Sequence, residues 1–95
     1  MTRPEFLAQG VEQNGSAMLV YGVVSEAEVH VRHVFRRIVL KSGKEVECEL
    51  TVENIISYRN ELSLLCRGSS GDLFVSGDMV ELQKILEKGE WVSLR

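Results

Sequence analysis

The sequence predicts a mostly β domain, a small β-barrel or strongly curved antiparallel sheet with one short C-terminal helix. Three observations carry this. β-Branched and aliphatic runs recur between breaks, as in Met18-Leu-Val-Tyr-Gly-Val-Val24. After Ser42-Gly43, acidic and apolar residues alternate with the period of two that places successive side chains on opposite faces of a strand. Helical spacing of apolar residues is confined to the stretch from Asp78 to Lys88. At 95 residues the chain has room for one ordinary domain. Its 44% apolar and 26% charged residues, with a single proline, are the composition of a chain that folds.

Residues 1–16 mix Pro4, Gly10, Asn14 and Gly15 with few apolar groups, so they read as an extended N-terminal arm in which Phe6 and Leu7 dock on the body. Asn14-Gly15-Ser16 reads as a turn. Residues 17–95 form the single β-rich domain. Met18–Val24 is its first, central strand, and Gly22 inside it marks a bulge or a close backbone approach. Val29, Val31 and Val34 continue as a second strand, which puts His30 and His33 on opposite faces.

The clearest element is a hairpin from Arg36 to Val52 around Ser42-Gly43. With Gly43 in the left-handed position of a three-residue loop, Leu40 pairs with Lys44, Ile38 with Val46 and Arg37 with Glu47. Val46, Cys48, Leu50 and Val52 then share one face, and Glu45, Glu47, Glu49 and Thr51 the other. A two-residue loop would set Ile38 opposite Glu47, a poorer match.

Residues 54–66 read as two short strands around Arg59-Asn60-Glu61, followed by a tight turn at Gly68-Ser-Ser-Gly-Asp72, a strand at Leu73-Phe-Val75 and a break at Gly77-Asp78. Asp78 with Glu81 resembles a helix N-cap and its partner. Met79, Leu82, Ile85 and Leu86 then fall on one helical face, and Gly89 stops the helix. Trp91 to Leu94 is the last strand.

Several chemistries are not written in this chain. The cysteines Cys48 and Cys66 form no CxxC pair and read as reduced core residues, with a mutual disulfide as the lesser reading. Two histidines without a fixed third ligand do not make a metal site. Neither a GxSxG elbow nor a Cys and His constellation is present, and Gly43-Lys44 lacks the rest of a phosphate loop. We therefore expect no enzymatic activity and no cofactor. With no apolar stretch of signal-peptide or membrane-span length, the expected compartment is the cytoplasm.

The net charge of −3 opposes general attraction to a phosphate backbone, yet charge is unevenly spread. Arg32, Arg36, Arg37, Lys41 and Lys44, with His30 and His33, occupy an acid-free stretch, and Glu45, Glu47, Glu49 and Glu53 follow at once. On the hairpin these blocks either neutralise each other across strands or leave a basic rim for an acidic protein or RNA.

Val52-Glu-Asn-Ile-Ile-Ser-Tyr58, followed by Leu62-Ser-Leu-Leu-Cys-Arg-Gly-Ser-Ser-Gly-Asp-Leu-Phe-Val-Ser-Gly77, resembles the β-barrel module that follows the GTPase domain of translation elongation factors. The resemblance spans residues 18–77 and implies a barrel. In those factors the module contacts RNA and the GTPase domain. The helix after Asp78 departs from the family's pattern, and no binding residue carries over. The functional expectation is a non-catalytic binding or adaptor module acting through protein contacts, with a partner protein or as a homodimer. The alternative is an RNA-binding accessory module that uses Arg32, Arg36, Arg37, Lys41 and Lys44.

Overall fold

The computed structural model describes residues 3–14, 17–77 and 79–95. Along the chain come β1 (Glu5–Asn14), β2 (Ala17–Glu26), β3 (Val29–His30), β4 (Val34–Leu40), β5 (Glu45–Ser57), β6 (Asn60–Leu62), β7 (Leu64–Leu65), β8 (Ser70–Gly77), α1 (Met79–Glu87) and β9 (Val92–Leu94). Six strands close into an antiparallel barrel in the order β4, β9, β1, β2, β8, β5, with β5 returning to β4. The domain is mostly β with one short helix, as its sequence pattern predicts. Closure gives every barrel strand a partner on both sides, which removes the open edges of a flat sheet. β6 extends β5 beyond the barrel, and β3 pairs with β7 in a separate ladder.

Alternation fills the interior. Phe6 and Ala8 of β1, Val20 and Val24 of β2, Phe35 and Ile38 of β4, Leu50 and Val52 of β5, and Leu73 and Val75 of β8 are fully buried in one cluster. Helix α1 packs against β1 and adds Leu82 and Leu86 to that cluster. Gly89, at φ 80°, ends the helix by donating its N–H to the Leu86 carbonyl. The N-cap assigned to Asp78 and the turn assigned to Gly15-Ser16 lie outside the described residues. No helix among the described residues is long and apolar enough to cross a membrane.

The β4–β5 hairpin has the register that its sequence dictates. Ile38 faces Val46 and Arg37 faces Glu47, while the Leu40 N–H donates to the Lys44 carbonyl and Gly43 turns at φ 94°. Elsewhere tertiary pairing overrides the local pattern. The segment read as an arm is the ten-residue strand β1, held between β2 and β9. Its polar residues Gln9 and Glu12 face outward, and a bulge between Ala8 and Gly10 breaks the alternation that would have marked it as a strand. The strand expected from Val29 to Val34 is interrupted after His30. The His33 N–H returns to the His30 carbonyl around Arg32 at φ 77°, and β4 starts afresh at Val34. The turn expected over Gly68 to Asp72 is shorter: it closes with the Ser69 N–H on the Cys66 carbonyl, and Gly71 and Asp72 already pair with β2 as part of β8. Cys66 is exposed at the start of that turn and is not in the core, whereas Cys48 is buried; neither is in a disulfide.

Two local features have energetic consequences. Gly22 is a site of close approach, because a Cβ there would strike the Leu7 carbonyl oxygen; the bulge itself lies opposite, on β1. We expect Gly22→Ala to cost about 2–3 kcal/mol, read as a lower urea midpoint. The β5–β6 hairpin turns on Tyr58 and Arg59 at φ 51° and 66°. Asn-Gly is the favoured pair for two such residues. The double change Tyr58→Asn with Arg59→Gly should stabilise the domain by about 1–2 kcal/mol, and an unchanged or lowered thermal midpoint would refute the strain.

Candidate anion-binding site

The basic stretch of the sequence does not fold into one patch. Lys41 and Lys44 sit in the hairpin loop, about 16 Å along β4 from Arg36 at 3.3 Å per residue. Arg32 occupies the turn before β4, where its N–H donates to the Val52 carbonyl at 2.6 Å. At Arg36 and Arg37 the β4–β5 register shifts, with two residues of β5 standing opposite Arg36. A regular strand would point them to opposite faces; here the alternation breaks and both are exposed. Their N–H groups both donate to the Arg95 carbonyl, at 2.8 and 3.1 Å, and Arg95 returns its own N–H to the Arg37 carbonyl at 2.9 Å.

This exchange brings the two ends of the described chain to β4. β9 lies between β1 and β4, so Arg95 after β9 and Arg3 before β1 meet Arg36 and Arg37. The four arginines, with Pro4, His33 and Val34, line a hollow of about 340 Å³ with no acidic side chain among its described lining residues. Acids stand on its flanks. One adjoining hollow includes Glu5 and Glu26, the other Glu47.

The cations differ in how far they are compensated. Arg95 donates from Nε to Glu5 Oε2 at 2.6 Å, leaving its Nη donors unused in that pair. Arg37 holds Glu45 at a long 3.4 Å, with both side chains half exposed, a contact worth little. Arg3 and Arg36 make no ion pair with the described residues. Neutralisation across the hairpin is thus partial: Arg37 faces Glu47 in the ladder yet pairs with Glu45.

Glu5 anchors the arrangement. Its carboxylate accepts from Ser25 Oγ, from Ser93 Oγ at 2.6 Å and from Arg95 Nε at 2.6 Å, tying β2 and β9 to β1. Burial pushes the carboxyl upward. The three donors and the Arg95 charge outweigh it, and the net position is below the ordinary 4.5. Burial, with a smaller contribution from the charge of nearby His30, also holds His33 below its ordinary 6.5. The His33 ring meets Phe35 edge-on, with centroids 4.7 Å apart.

A larger hollow, about 610 Å³, opens beside Tyr58 and is lined by Leu62, Leu64, Cys66 and serines. None of its lining residues is a histidine, carboxylate or lysine that could serve as a base toward the Cys66 thiol or a serine. Sequence reading found Arg36 and Arg37 but missed Arg3, Arg95 and Glu5, which only long-range strand pairing assembles. Compared with protein-family models and with curated proteins, the chain matches neither.

Both shifted groups make acid destabilising. The unfolded chain takes up the His33 proton first as pH falls below about 6.5, so that contribution shrinks until the folded-state value is passed. The Glu5 contribution is complete above about 4.5 and is lost as pH falls through the lower folded-state value. Glu5→Gln should cost about 2 kcal/mol at neutral pH and flatten the decline below pH 4.5, measured as urea midpoints across a pH series.

Proposed function

We propose that this chain is a non-catalytic binding module that docks an acidic segment of a partner protein in the arginine hollow. The observation that carries this reading is the concentration of four arginines around an acid-free hollow in a chain of net charge −3, with Arg3 and Arg36 uncompensated among the described residues. All four arginines are exposed to an incoming anion, and guanidinium forks match carboxylates and phosphates geometrically. Barrel closure leaves no open barrel edge to drive strand-to-strand self-pairing, so a homodimer would have to use another face.

The RNA-binding alternative draws on Arg32, Lys41 and Lys44, which are also exposed. A nucleic-acid backbone is followed by a continuous track of cations. Here the lysines lie far from the arginines along β4, and exposed Glu45, Glu47 and Glu49 run alongside on β5. That arrangement favours a short acidic segment over a polyanion.

Titration of the labelled protein with hexaglutamate, followed by NMR, tests the reading. We expect shifts at residues 33–37 and 95, and at least a tenfold loss of affinity in the Arg3→Glu, Arg36→Glu double variant. Lys41→Glu with Lys44→Glu should change affinity less than threefold. Loss through the lysines with the arginine variant unaffected would overturn it, as would tighter binding of a uridine homopolymer.

A further inference from the structure

We infer that the arginine hollow is a site for a phosphate monoester, the phosphorylated side chain of a partner protein. This rests on the docking reading above and names its ligand.

Charge favours a dianion. Within the cluster Glu5 holds Arg95 and Glu45 makes only a long contact with Arg37, while Arg3 and Arg36 make no ion pair among the described residues. A carboxylate would cancel one of them. A phosphodiester of RNA also carries one charge, whereas a phosphate monoester carries −1.5 to −2 near neutral pH and offers three acceptor oxygens. Of the three, the monoester brings the most charge and the most acceptors to these guanidinium groups.

The donors match as well. Backbone N–H groups of Arg36 and Arg37 are already spent on the Arg95 carbonyl, so side chains must make the contacts. Arg95 is held by Glu5 through Nε, and its Nη donors are not used in that contact. The Arg37 contact with Glu45 is long and exposed, hence easily exchanged for a stronger bidentate one. Size agrees too: about 340 Å³ lies at the lower end of ligand pockets, suited to a small anionic group and its stem, and Pro4 and Val34 supply apolar contact for that stem. The acids on both flanks, Glu5 and Glu26 on one and Glu47 on the other, confine the attraction to a single anionic group.

Blocked phosphoserine (N-acetyl, C-amide) is the probe, titrated into the labelled protein while the backbone and arginine Nε–H signals are followed by NMR. Blocked glutamate and the dinucleotide UpU are the comparison ligands. We expect saturating shifts at the Arg36, Arg37 and Arg95 Nε–H groups, with affinity at least tenfold above that for either comparison ligand. Affinity should fall below about pH 6 as the monoester takes up its second proton. Arg36→Gln should weaken binding at least tenfold. Arg3→Gln, outside any strand, should do the same and guards against a folding effect in β4. Equal binding of blocked glutamate overturns the phosphate assignment and leaves acidic docking standing. Tighter binding of UpU, or no response to any of the three, overturns both.

Discussion

The three-residue strand β9 is the constraint on which the rest of the molecule depends. Val92 and Leu94 are buried, and between them Ser93 is buried with its hydroxyl on Glu5. On one side β9 pairs with Phe6 to Ala8 of β1, on the other with Ile38 to Leu40 of β4. Without it β1 and β4 would each present an unpaired edge, and the barrel would be an open curved sheet. With it, two short ladders and one carboxylate network fix the relation between elements that share no local sequence. The arginine hollow is a by-product of the same closure, since Arg95 is the residue that follows β9 and its carbonyl accepts from the N–H groups of both Arg36 and Arg37.

Electrostatics in this protein is organised on the scale of single hollows. A net negative chain keeps general polyanions at a distance, while four guanidinium groups close together create a local field of the opposite sign. Glu5 serves both sides of this arrangement. It neutralises part of the cluster, and by holding Arg95 through Nε it turns a long flexible side chain into an oriented one. Because its oxygens are already taken by Ser25, Ser93 and Arg95, it is poorly placed to compete with an incoming anion for the remaining cations.

What could be read from the sequence follows the range of the interactions involved. The β4–β5 hairpin was legible to the residue, because Gly43 and the alternation from Glu45 to Val52 are local and mutually consistent. Helix α1 was legible for the same reason. Strand β1 was not: its bulge at Ala8 to Gly10 shifts the periodicity, and its outward polar residues imitate a loop. Arg32 and the two hairpin lysines belong to the same sequence block as Arg36 and Arg37, yet a turn at positive φ and the length of β4 separate them in space. Arg3 and Arg95 lie at opposite ends of the residues that build the barrel, and no local pattern could pair them. Arg36 and Arg37 are both exposed where their N–H groups share the Arg95 carbonyl, so even the legible half of the site is held by a distant residue.

The order of the strands also has a consequence for how the chain reaches this state during synthesis. Ser93 and Glu5, joined by a hydrogen bond, are 88 residues apart in sequence. The hairpins β1–β2 and β4–β5 can form as they emerge, but the seam between β1 and β4 stays open until β9 has been made. At roughly 5–20 residues per second this leaves an apolar interior exposed for several seconds. Closing the barrel therefore waits on a contact of high sequence separation, which sets it later than the two local hairpins.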